Sequence, residues 1–474
     1  MDLTRRGVLA AGLGIPAALG LSACAGNPAS GGRPIPVDGA TAPPGSPNLL
    51  VIFSDDHRAD HLGLTGEVPF LQTPVLDSLA TDGVRFDNAY VTTALCSPSR
   101  ATLLTGQYAS RHGVQNNLSA WTPGTPSFFD SLAAAGYRCA YIGKWHMPGD
   151  LPDLPGVERF VTFTIEEGQG IYRDCPLIVD GVDTPRPGTY VTTDLTDYAL
   201  QWLTEGLGES TEPLQMGRDD RPFCLVVAHK AVHHEFEPPD DLLGSYDDVE
   251  IDLPDEAFTY QTLLDRNVWE GTAGRLQTSY RRYCETLLGM DREIGRLLEA
   301  IEPVADNTVV IYTSDNGYSW GEHVLTGKRW AYDDNIKVPF IVRWPDGIEA
   351  PGTVLDEPVL NADIAPTLLD IAGVPIPGTM QGRSIAPLLR AEPVQWREDI
   401  FYEYFADFPY QVPPSQAVRT DRWLYVEYDR GLAPELYDTI SDPAQQTNLI
   451  DDPAYAATRQ QLSQRLADLR REFT

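Results

Sequence analysis

Four apolar stretches of this chain each end abruptly in polar residues. The stretches are residues 48–53, 137–142, 223–228 and 308–312. Continuous apolar runs of this length are typical of β-strands that are covered on both faces. Segments with helical spacing lie between them, at residues 73–82, 127–135, 193–204 and 278–301. Alternating strands and helices predict an α/β fold with one large, mostly parallel mixed sheet flanked by helices.

Each apolar stretch is followed by side chains that can take part in catalysis. The four polar clusters begin at Ser54, Gly143, His229 and Thr313. In open α/β sheets, ligands bind beyond the carboxyl ends of the strands, and the parallel strands end at the same edge. One such cluster would indicate little, whereas four of them predict a single active site at this edge.

A segment at residues 96–106 combines a cysteine with the features of a helix start. Pro98 suits the first turn of a helix, where its missing N–H costs nothing, and Gly106 suits the end. We therefore expect Cys96 to lie just before a helix N-terminus, where free N–H groups and the helix dipole favour a bound anion. Arg100, one turn later, can lean back toward the same point.

The aspartates that follow two of the strands are candidate metal ligands. Asp55 and Asp56 follow the first stretch, and Asp315 and Asn316 follow the fourth. Their oxygen atoms suit Ca²⁺ or Mg²⁺ and are poor ligands for soft metals. Aspartates at strand ends also serve as turn residues or helix caps, so the residue types alone leave both roles open.

The pentapeptide Cys96-Ser97-Pro98-Ser99-Arg100 resembles the signature of the formylglycine-dependent sulfatases, a family of the alkaline phosphatase-like superfamily. The resemblance implies that a formylglycine-generating enzyme oxidises Cys96 to an aldehyde. It also implies a divalent cation, usually calcium. The implied cation ligands are Asp55, Asp56, Cys96, Asp315 and Asn316.

The same resemblance implies roles for further side chains. Those implied to act on the sulfate group are Arg100, Lys144, His146, His233 and Lys328. The arginine and the lysines would hold sulfate oxygens, and the histidines would transfer protons because imidazole titrates near neutral pH. His233 is preferred over its neighbours by motif match, which leaves the roles of His229 and His234 open.

The resemblance covers residues 48 to about 450 and is closest to N-acetylglucosamine-6-sulfatases and related mucin- or glycosaminoglycan-desulfating enzymes. It predicts hydrolysis of sulfate esters of carbohydrates. The alternatives are an arylsulfatase, a phosphonate monoester or phosphodiester hydrolase that uses the same aldehyde and metal, and an inactive surface lipoprotein that only binds sulfated glycans.

The ends of the chain predict export and a small second unit. Residues 1–24 resemble a twin-arginine signal that ends in a lipobox, with Cys24 as the lipid-anchored residue on the outer face of the membrane; a Sec signal is the alternative. Residues 25–47 have the composition of a flexible linker. We expect a catalytic domain over 48–390 and a C-terminal α+β subdomain over 391–474, formed by a small antiparallel sheet and a helix.

The net charge of −33 argues against nucleic acid as a partner. Because a sulfated substrate is itself an anion, this charge predicts that a local basic pocket binds it. Lysine occurs only at positions 144, 230, 328 and 337, three of them beside the polar clusters. The sequence leaves open whether disulfides form among the remaining cysteines, which are Cys139, Cys175, Cys224 and Cys284.

Overall fold

A computed structural model describes residues 42–43, 45–205, 221–254, 273–429 and 431–474. The predicted export signal over 1–24, its Cys24 and most of the predicted linker over 25–47 lie outside the described residues. None of the helices in the described part is long and apolar enough to cross a membrane.

Strands and helices alternate through the first part of the chain, as the apolar pattern predicts. The strands are β1 Asn48–Ser54, β2 Val84–Phe86, β3 Ala89–Tyr90, β4 Arg138–Gly143, β5 Val157–Thr162, β6 Leu177–Val179, β7 Val182–Thr184, β8 Phe223–Ala228, β9 Thr308–Ser314, β10 Ser319–Trp320, β11 Thr326–Gly327, β12 Phe340–Arg343, β13 Thr353–Leu355, β14 Val359–Leu360, β15 Asp399–Tyr404, β16 Ser415–Thr420, β17 Trp423–Tyr428 and β18 Glu435–Asp438. The α-helices are α1 Pro74–Thr81, α2 Cys96–Thr105, α3 Ala109–His112, α4 Phe128–Ala134, α5 Val191–Glu205, α6 Ala273–Ala300, α7 Asp333–Ile336, α8 Ile364–Ile371, α9 Ala386–Leu389 and α10 Ala456–Phe473.

The large sheet is mixed, with a parallel centre. Its strand order is β13-β2-β12-β9-β1-β8-β4-β5-β6-β7. The five central strands, from β9 to β5, run parallel to one another. Strand β12 runs antiparallel to β9, and β6 runs antiparallel to β5. The predicted mostly parallel mixed sheet is therefore confirmed.

Strand β1 shows why the centre of the sheet reads as a continuous apolar run. All of its residues are buried, because layers cover both faces of the sheet. Leu49, Val51 and Phe53 point into one hydrophobic cluster, whereas Leu50 and Ile52 point into the other. This alternation follows from the two-residue repeat of a strand.

Helices form the layer on each face of the sheet. On one face, α6 packs against α1 and α5, and its buried side chains Leu287, Ile294 and Leu297 belong to the same cluster as Leu50. On the other face, α4 packs against α8 in the cluster of Leu49. The predicted helical segments therefore flank the sheet on both sides.

The C-terminal residues form the predicted small antiparallel sheet and helix. Strands β15 to β18 pair in chain order, and each pair is antiparallel. Helix α10 packs on this sheet through Leu462, Leu466 and Leu469, which share one helical face. The sheet shares a hydrophobic cluster with the first part of the chain, and the predicted boundary at 390/391 stays a prediction.

The described cysteines are free thiols. Cys139 of β4 and Cys224 of β8 lie side by side in register, yet they are not bonded to each other. Cys175 and Cys284 are also buried and free. Within the described part of the chain, disulfides therefore do not contribute to stability.

A partly buried ion pair connects the small sheet to the first part of the chain, with side chains that are 5% exposed in Arg419 and 19% exposed in Asp333. Arg419 of β16 donates from Nε and Nη2 to the carboxylate of Asp333 in α7, over 3.0 and 2.9 Å. Burial alone would raise the pKa of Asp333, but Arg419 holds it below the ordinary value of 3.8. This contribution to stability is present above the ordinary pKa and is lost as the pH falls below it.

We expect Arg419→Met to lower the free energy of unfolding by about 1–3 kcal/mol, because it leaves the Asp333 carboxylate, which is 19% exposed, without its charged donor. Unfolding in urea at neutral pH measures this change. Arg465→Met is the matched control: it breaks the pair with Asp399, where the arginine side chain is 41% exposed, and should change stability by less than about 1 kcal/mol. Equal losses in the two variants would contradict the argument.

Candidate active site

The carboxyl ends of the central parallel strands bring the predicted site residues together. Asp55 and Asp56 follow β1, Lys144 follows β4, His229 follows β8 and Asp315 follows β9. Backbone hydrogen bonds hold the four ends in register, because each strand end bonds to its neighbour; for example, the N–H of residue 315 donates to the carbonyl of residue 54 over 3.2 Å. All five side chains are buried at this edge.

Helix α2 carries the cysteine of the signature. The prediction that Cys96 lies just before the helix is wrong by one residue, since Cys96 is the first residue of α2. Leu95 has the extended backbone of a helix cap, and its carbonyl accepts the N–H of Ser99 over 3.0 Å. The helix ends as predicted at Gly106, whose φ of 65° is the left-handed conformation that glycine adopts without strain.

The Cys96 thiol lies among charged groups. Its Sγ is 2.8 Å from Nζ of Lys328, 3.8 Å from Nζ of Lys144 and 3.6 Å from Oδ1 of Asp55. Burial and the Asp55 carboxylate raise the pKa of the thiol to about 12. The unmodified cysteine is therefore protonated at neutral pH and is a poor nucleophile.

Arg100 bridges two carboxylates beneath the thiol. Its Nη2 donates to Oδ2 of Asp55 over 3.0 Å and to Oδ2 of Asp315 over 2.8 Å. Its Nη1 donates to the backbone carbonyl of Lys144 over 2.8 Å. The arginine thus joins the ends of β1, β4 and β9, and its side chain is only 1% exposed.

The three buried carboxylates have different ionisation behaviour. Burial opposes the charge of Asp55, but Lys144, His233 and Arg100 together hold its pKa well below the ordinary value. Burial raises the pKa of Asp56. Burial and the charge on Asp55 raise the pKa of Asp315 to about 6. Asp55 is therefore the carboxylate that the neighbouring cations stabilise most.

The carboxylates form a group that fits a hard cation. Ligand atoms of Asp55, Asp56, Cys96 and Asp315 all lie within 4.8 Å of one another. Oδ2 of Asp56 and Oδ1 of Asn316 are buried and have no hydrogen-bond partner among the described residues. Oxygen atoms of this kind are the ligands that Ca²⁺ and Mg²⁺ prefer. Both predicted ligand pairs therefore contribute to one cluster.

His146 and His233 lie at the same cluster. His146 has a positive φ of 58°, and its Nδ1 lacks a partner among the described residues. Nδ1 of His233 donates a hydrogen bond to the carbonyl oxygen of His234 over 2.7 Å. Nε2 of the same ring is 3.9 Å from Oδ2 of Asp56. Burial and the charge of Lys144 hold the pKa of both rings well below the usual range.

The structure adds contacts that the sequence did not predict. Gln169 accepts a hydrogen bond from Nζ of Lys144 over 2.6 Å, and nothing in its sequence context indicates this contact. Lys230 is buried, donates to the carbonyl of His234 over 3.2 Å and lies 4.8 Å from the ring centroid of Tyr172. The hydroxyl of Tyr172 donates to the carbonyl of His233 over 2.8 Å. Together Lys230 and Tyr172 fix the segment that carries His233.

His229 and His234, to which the sequence assigns no definite role, differ in position. The ring nitrogens of His229 are buried without a partner in the described part, and burial lowers the pKa of the ring to about 4. His234 lines a cavity of about 110 Å³ together with Lys328 and His233. This cavity adjoins a larger one of about 430 Å³ that His146 lines, because both share Asn117, Gln169 and Tyr410. We call the two cavities together the active-site cleft.

The amino-acid sequence matches the model of a known protein family. The family model described as "Sulfatase" matches residues 47–374, which is more than half of the chain. The chain belongs to the sulfatase family. The sulfatase therefore hydrolyses sulfate esters. A second model, the C-terminal domain of N-sulphoglucosamine sulphohydrolase, matches residues 321–472 of the sulfatase.

Individual relatives include sulfatases and a hydrolase of another ester class. An N-acetylglucosamine-6-O-sulfatase of Bacteroides thetaiotaomicron is 28% identical, covering 90% of this sulfatase and 87% of the relative. A solved structure in complex with its substrate D-glucosamine-2-N,6-O-disulfate is similar with a TM-score of 0.81 and 28% identity, over 90% of this chain and 98% of that one. A phosphonate monoester hydrolase of Silicibacter pomeroyi has a TM-score of 0.73 and 26% identity, over 90% and 96%.

We expect Lys230→Met to lower kcat for sulfate ester hydrolysis by about tenfold, because the His234 carbonyl loses a charged donor and the segment of His233 loosens. Thermal stability should stay equal or rise, since burial and Lys144 lower the pKa of Lys230 to about 8 and so disfavour its charged form in the folded protein. Steady-state kinetics and a thermal melt measure the two effects. Lys337→Met, which removes a lysine that lines a different cavity, is the control. A loss of stability with unchanged kcat would contradict the positioning role.

Proposed function

We propose that this sulfatase removes the 6-sulfate of N-acetylglucosamine residues in carbohydrates such as glycosaminoglycans or mucins, with formylglycine at position 96. The position of Cys96 Sγ carries the proposal: it lies at the start of a helix, between the ammonium groups of Lys144 and Lys328. The sugar class is supported by similarity to the N-acetylglucosamine-6-O-sulfatase and to the structure that binds a glucosamine disulfate.

Two groups complete the chemistry of this proposal. Formylglycine would supply a hydrated aldehyde as the nucleophile toward sulfur, and a bound Ca²⁺ would supply positive charge that stabilises the sulfate group. The residues that would hold the cation are Asp55, Asp56, residue 96, Asp315 and Asn316. Mg²⁺ has the same ligand preference and is the alternative.

The side chains of the cluster bind and orient the sulfate group. Lys144, Lys328 and Arg100 bring positive charge to the point where negative charge increases as the S–O bond breaks. All three are already held by Asp55, Asp56 and Asp315, so their positions need little rearrangement when substrate binds. This preorganisation lowers the barrier to the reaction.

Histidines move the protons in the proposed reaction. His233 donates a proton from Nε2 to the leaving alcohol oxygen, because its Nδ1 is already bound to a backbone carbonyl. A bound sulfate adds negative charge beside this ring and raises its pKa, which favours the protonated form. His146 acts as the base of the later step, because burial keeps its ring neutral and its Nδ1 has no partner in the described part. Asp315, with a pKa of about 6, assists proton removal from the nucleophile.

We also propose that the protein works outside the cytoplasm. The arginine pair at residues 5–6, the apolar stretch that follows and Cys24 support export by the twin-arginine route and a lipid anchor on the outer face of the membrane. Conversion of Cys96 requires a formylglycine-generating enzyme as a partner. An anchored enzyme outside the cell suits polymeric substrates that do not enter it.

Hydrolysis of a matched substrate panel tests the proposed function. The panel contains N-acetylglucosamine-6-sulfate, a glycosaminoglycan fragment, an aryl sulfate and an aryl phosphonate ester, assayed with Ca²⁺, with Mg²⁺ and after chelation. We expect the highest kcat/KM with the sulfated sugar and loss of activity on chelation. Preference for the aryl sulfate would indicate an arylsulfatase, and preference for the phosphonate ester would indicate a phosphonate monoester hydrolase; either result would overturn the proposal.

The variant Cys96→Ser tests the aldehyde. We expect at most one slow turnover, after which the enzyme keeps the sulfate. The hydrated aldehyde has a second hydroxyl through which it releases sulfate, whereas the sulfate ester formed on a serine side chain has none. Mass spectrometry of the intact variant measures the bound sulfate, and the mass of the wild-type peptide that contains residue 96 confirms conversion. Sustained turnover by the variant would refute the formylglycine mechanism.

A further inference from the structure

The larger cavity of the active-site cleft has an apolar rim. Leu118, Phe408 and Tyr410 line the larger cavity, with side chains that are 58%, 78% and 37% exposed. Large exposed hydrophobic side chains grouped at the mouth of a cavity are typical of a binding site. At about 430 Å³, this cavity has the size of a ligand pocket.

The charges in the larger cavity are negative or neutralised. Glu167 lines it with an exposed carboxylate, and among the described residues no lysine or arginine does so. Asp407 also lines it, but its carboxylate is bound to Arg329. Lys328 lines the smaller cavity, whereas the exposed Glu167 lines the larger one. The two cavities therefore suit different parts of a substrate.

Arg329 is the arginine that faces the smaller cavity, and its charge is already engaged. Its Nε and Nη2 donate to Oδ2 of Asp407 over 3.0 and 2.7 Å. The ring of Tyr410 covers the guanidinium at 3.4 Å from the ring centroid. The side chain is only 6% exposed, so this arginine is not available to bind a second anionic group of the substrate.

The same ion pair connects the apolar rim to the nucleophile helix. Oδ1 of Asp407 accepts the N–H of Asn117 over 3.2 Å. Oδ1 of Asn117 in turn accepts the N–H of Ser97, in the first turn of α2, over 3.1 Å. Phe408 follows Asp407 directly, so its position is tied to that of residue 96. The rim is thus a defined part of the active site.

We propose that this sulfatase selects sugar residues that carry the 6-sulfate and no second charge, with Phe408 as the apolar contact for the sugar ring and Glu167 as the residue that rejects a second anionic group on the same sugar. The inference rests on the proposed function as a carbohydrate sulfatase. An N-acetyl group adds no charge, whereas an N-sulfate or a carboxylate on the same sugar residue would meet the negative charge of Glu167, and no lysine or arginine among the described residues lines the larger cavity to offset it. Like-charge contact of this kind is a common basis of specificity.

Relative kcat/KM for two 6-sulfated sugars tests the inference. The pair is N-acetylglucosamine-6-sulfate and D-glucosamine-2-N,6-O-disulfate, which differ at the nitrogen substituent. We expect the wild-type enzyme to prefer the first by about tenfold or more. Equal kcat/KM values, or preference for the disulfate, would overturn the inference while leaving the proposed sugar sulfatase activity intact.

Substitutions at Glu167 test whether the charge of this side chain causes the preference. We expect Glu167→Gln to reduce the preference by about fivefold and Glu167→Lys to reduce it further, through a rise in kcat/KM for the disulfated sugar. Glu166→Gln is a matched control, because Glu166 is also exposed, has a similar positive φ of 52° against 56° and does not line the cleft. An unchanged preference in both Glu167 variants would show that this residue does not set it.

Substitutions at Phe408 test the apolar contact. We expect Phe408→Ala to raise KM for N-acetylglucosamine-6-sulfate by about fivefold with kcat almost unchanged, because the contact is made equally in the ground state and the transition state. Phe408→Trp should restore the KM. A fall in kcat without a change in KM would contradict a role in binding.

A pair of aryl sulfates tests the charge selection independently of the proposed activity on sulfated sugars. The two compounds differ only in a ring carboxylate, so they report charge selection without a sugar. If neither sugar is hydrolysed, the proposed function fails; preference for the uncharged aryl sulfate would then still support the charge selection, and equal rates would overturn it as well.

Discussion

The active site depends on ion pairs between three buried carboxylates and three buried cations. Asp55, Asp56 and Asp315 converge at one edge of the sheet, where burial alone would oppose their ionisation. Their partners are Arg100, Lys144 and Lys328. Because each cation contacts an acid from a different strand or from the loop after it, the ion pairs hold the strand ends in the geometry that the chemistry needs.

The same cluster of charges explains how a protein with a net charge of −33 can act on an anion. The positive charge is concentrated at the sulfate-binding end of the cleft, and three of the four lysines of the chain lie there: Lys144, Lys230 and Lys328. Arg329, which lines the smaller cavity beside Lys328, is already bound to Asp407, and Glu167 in the larger cavity is exposed. Binding of one sulfate and exclusion of a second charge are therefore compatible in one cleft.

The C-terminal sheet contributes directly to the cleft. Asp407, Phe408 and Tyr410 lie in the loop between β15 and β16 and line the larger cavity. Through Asp407 and Asn117 this loop is connected to the start of α2 by hydrogen bonds. Differences in this loop between relatives would change the substrate contact without changing the residues around position 96. Reaction type and substrate choice therefore depend on different parts of the fold.

The amino-acid sequence by itself determined four of the five central parallel strands, the main helical segments between them and the residue types at the strand ends, because burial on both faces leaves a continuous apolar run. It also located Cys96 to within one residue of the helix start. Only the tertiary structure decided which partners the side chains have: Gln169 on Lys144, Lys230 beneath the carbonyl of His234, and the loop of Phe408 beside the cleft. These contacts join residues that lie far apart in the chain or depend on a particular loop conformation, so no local pattern of the sequence encodes them.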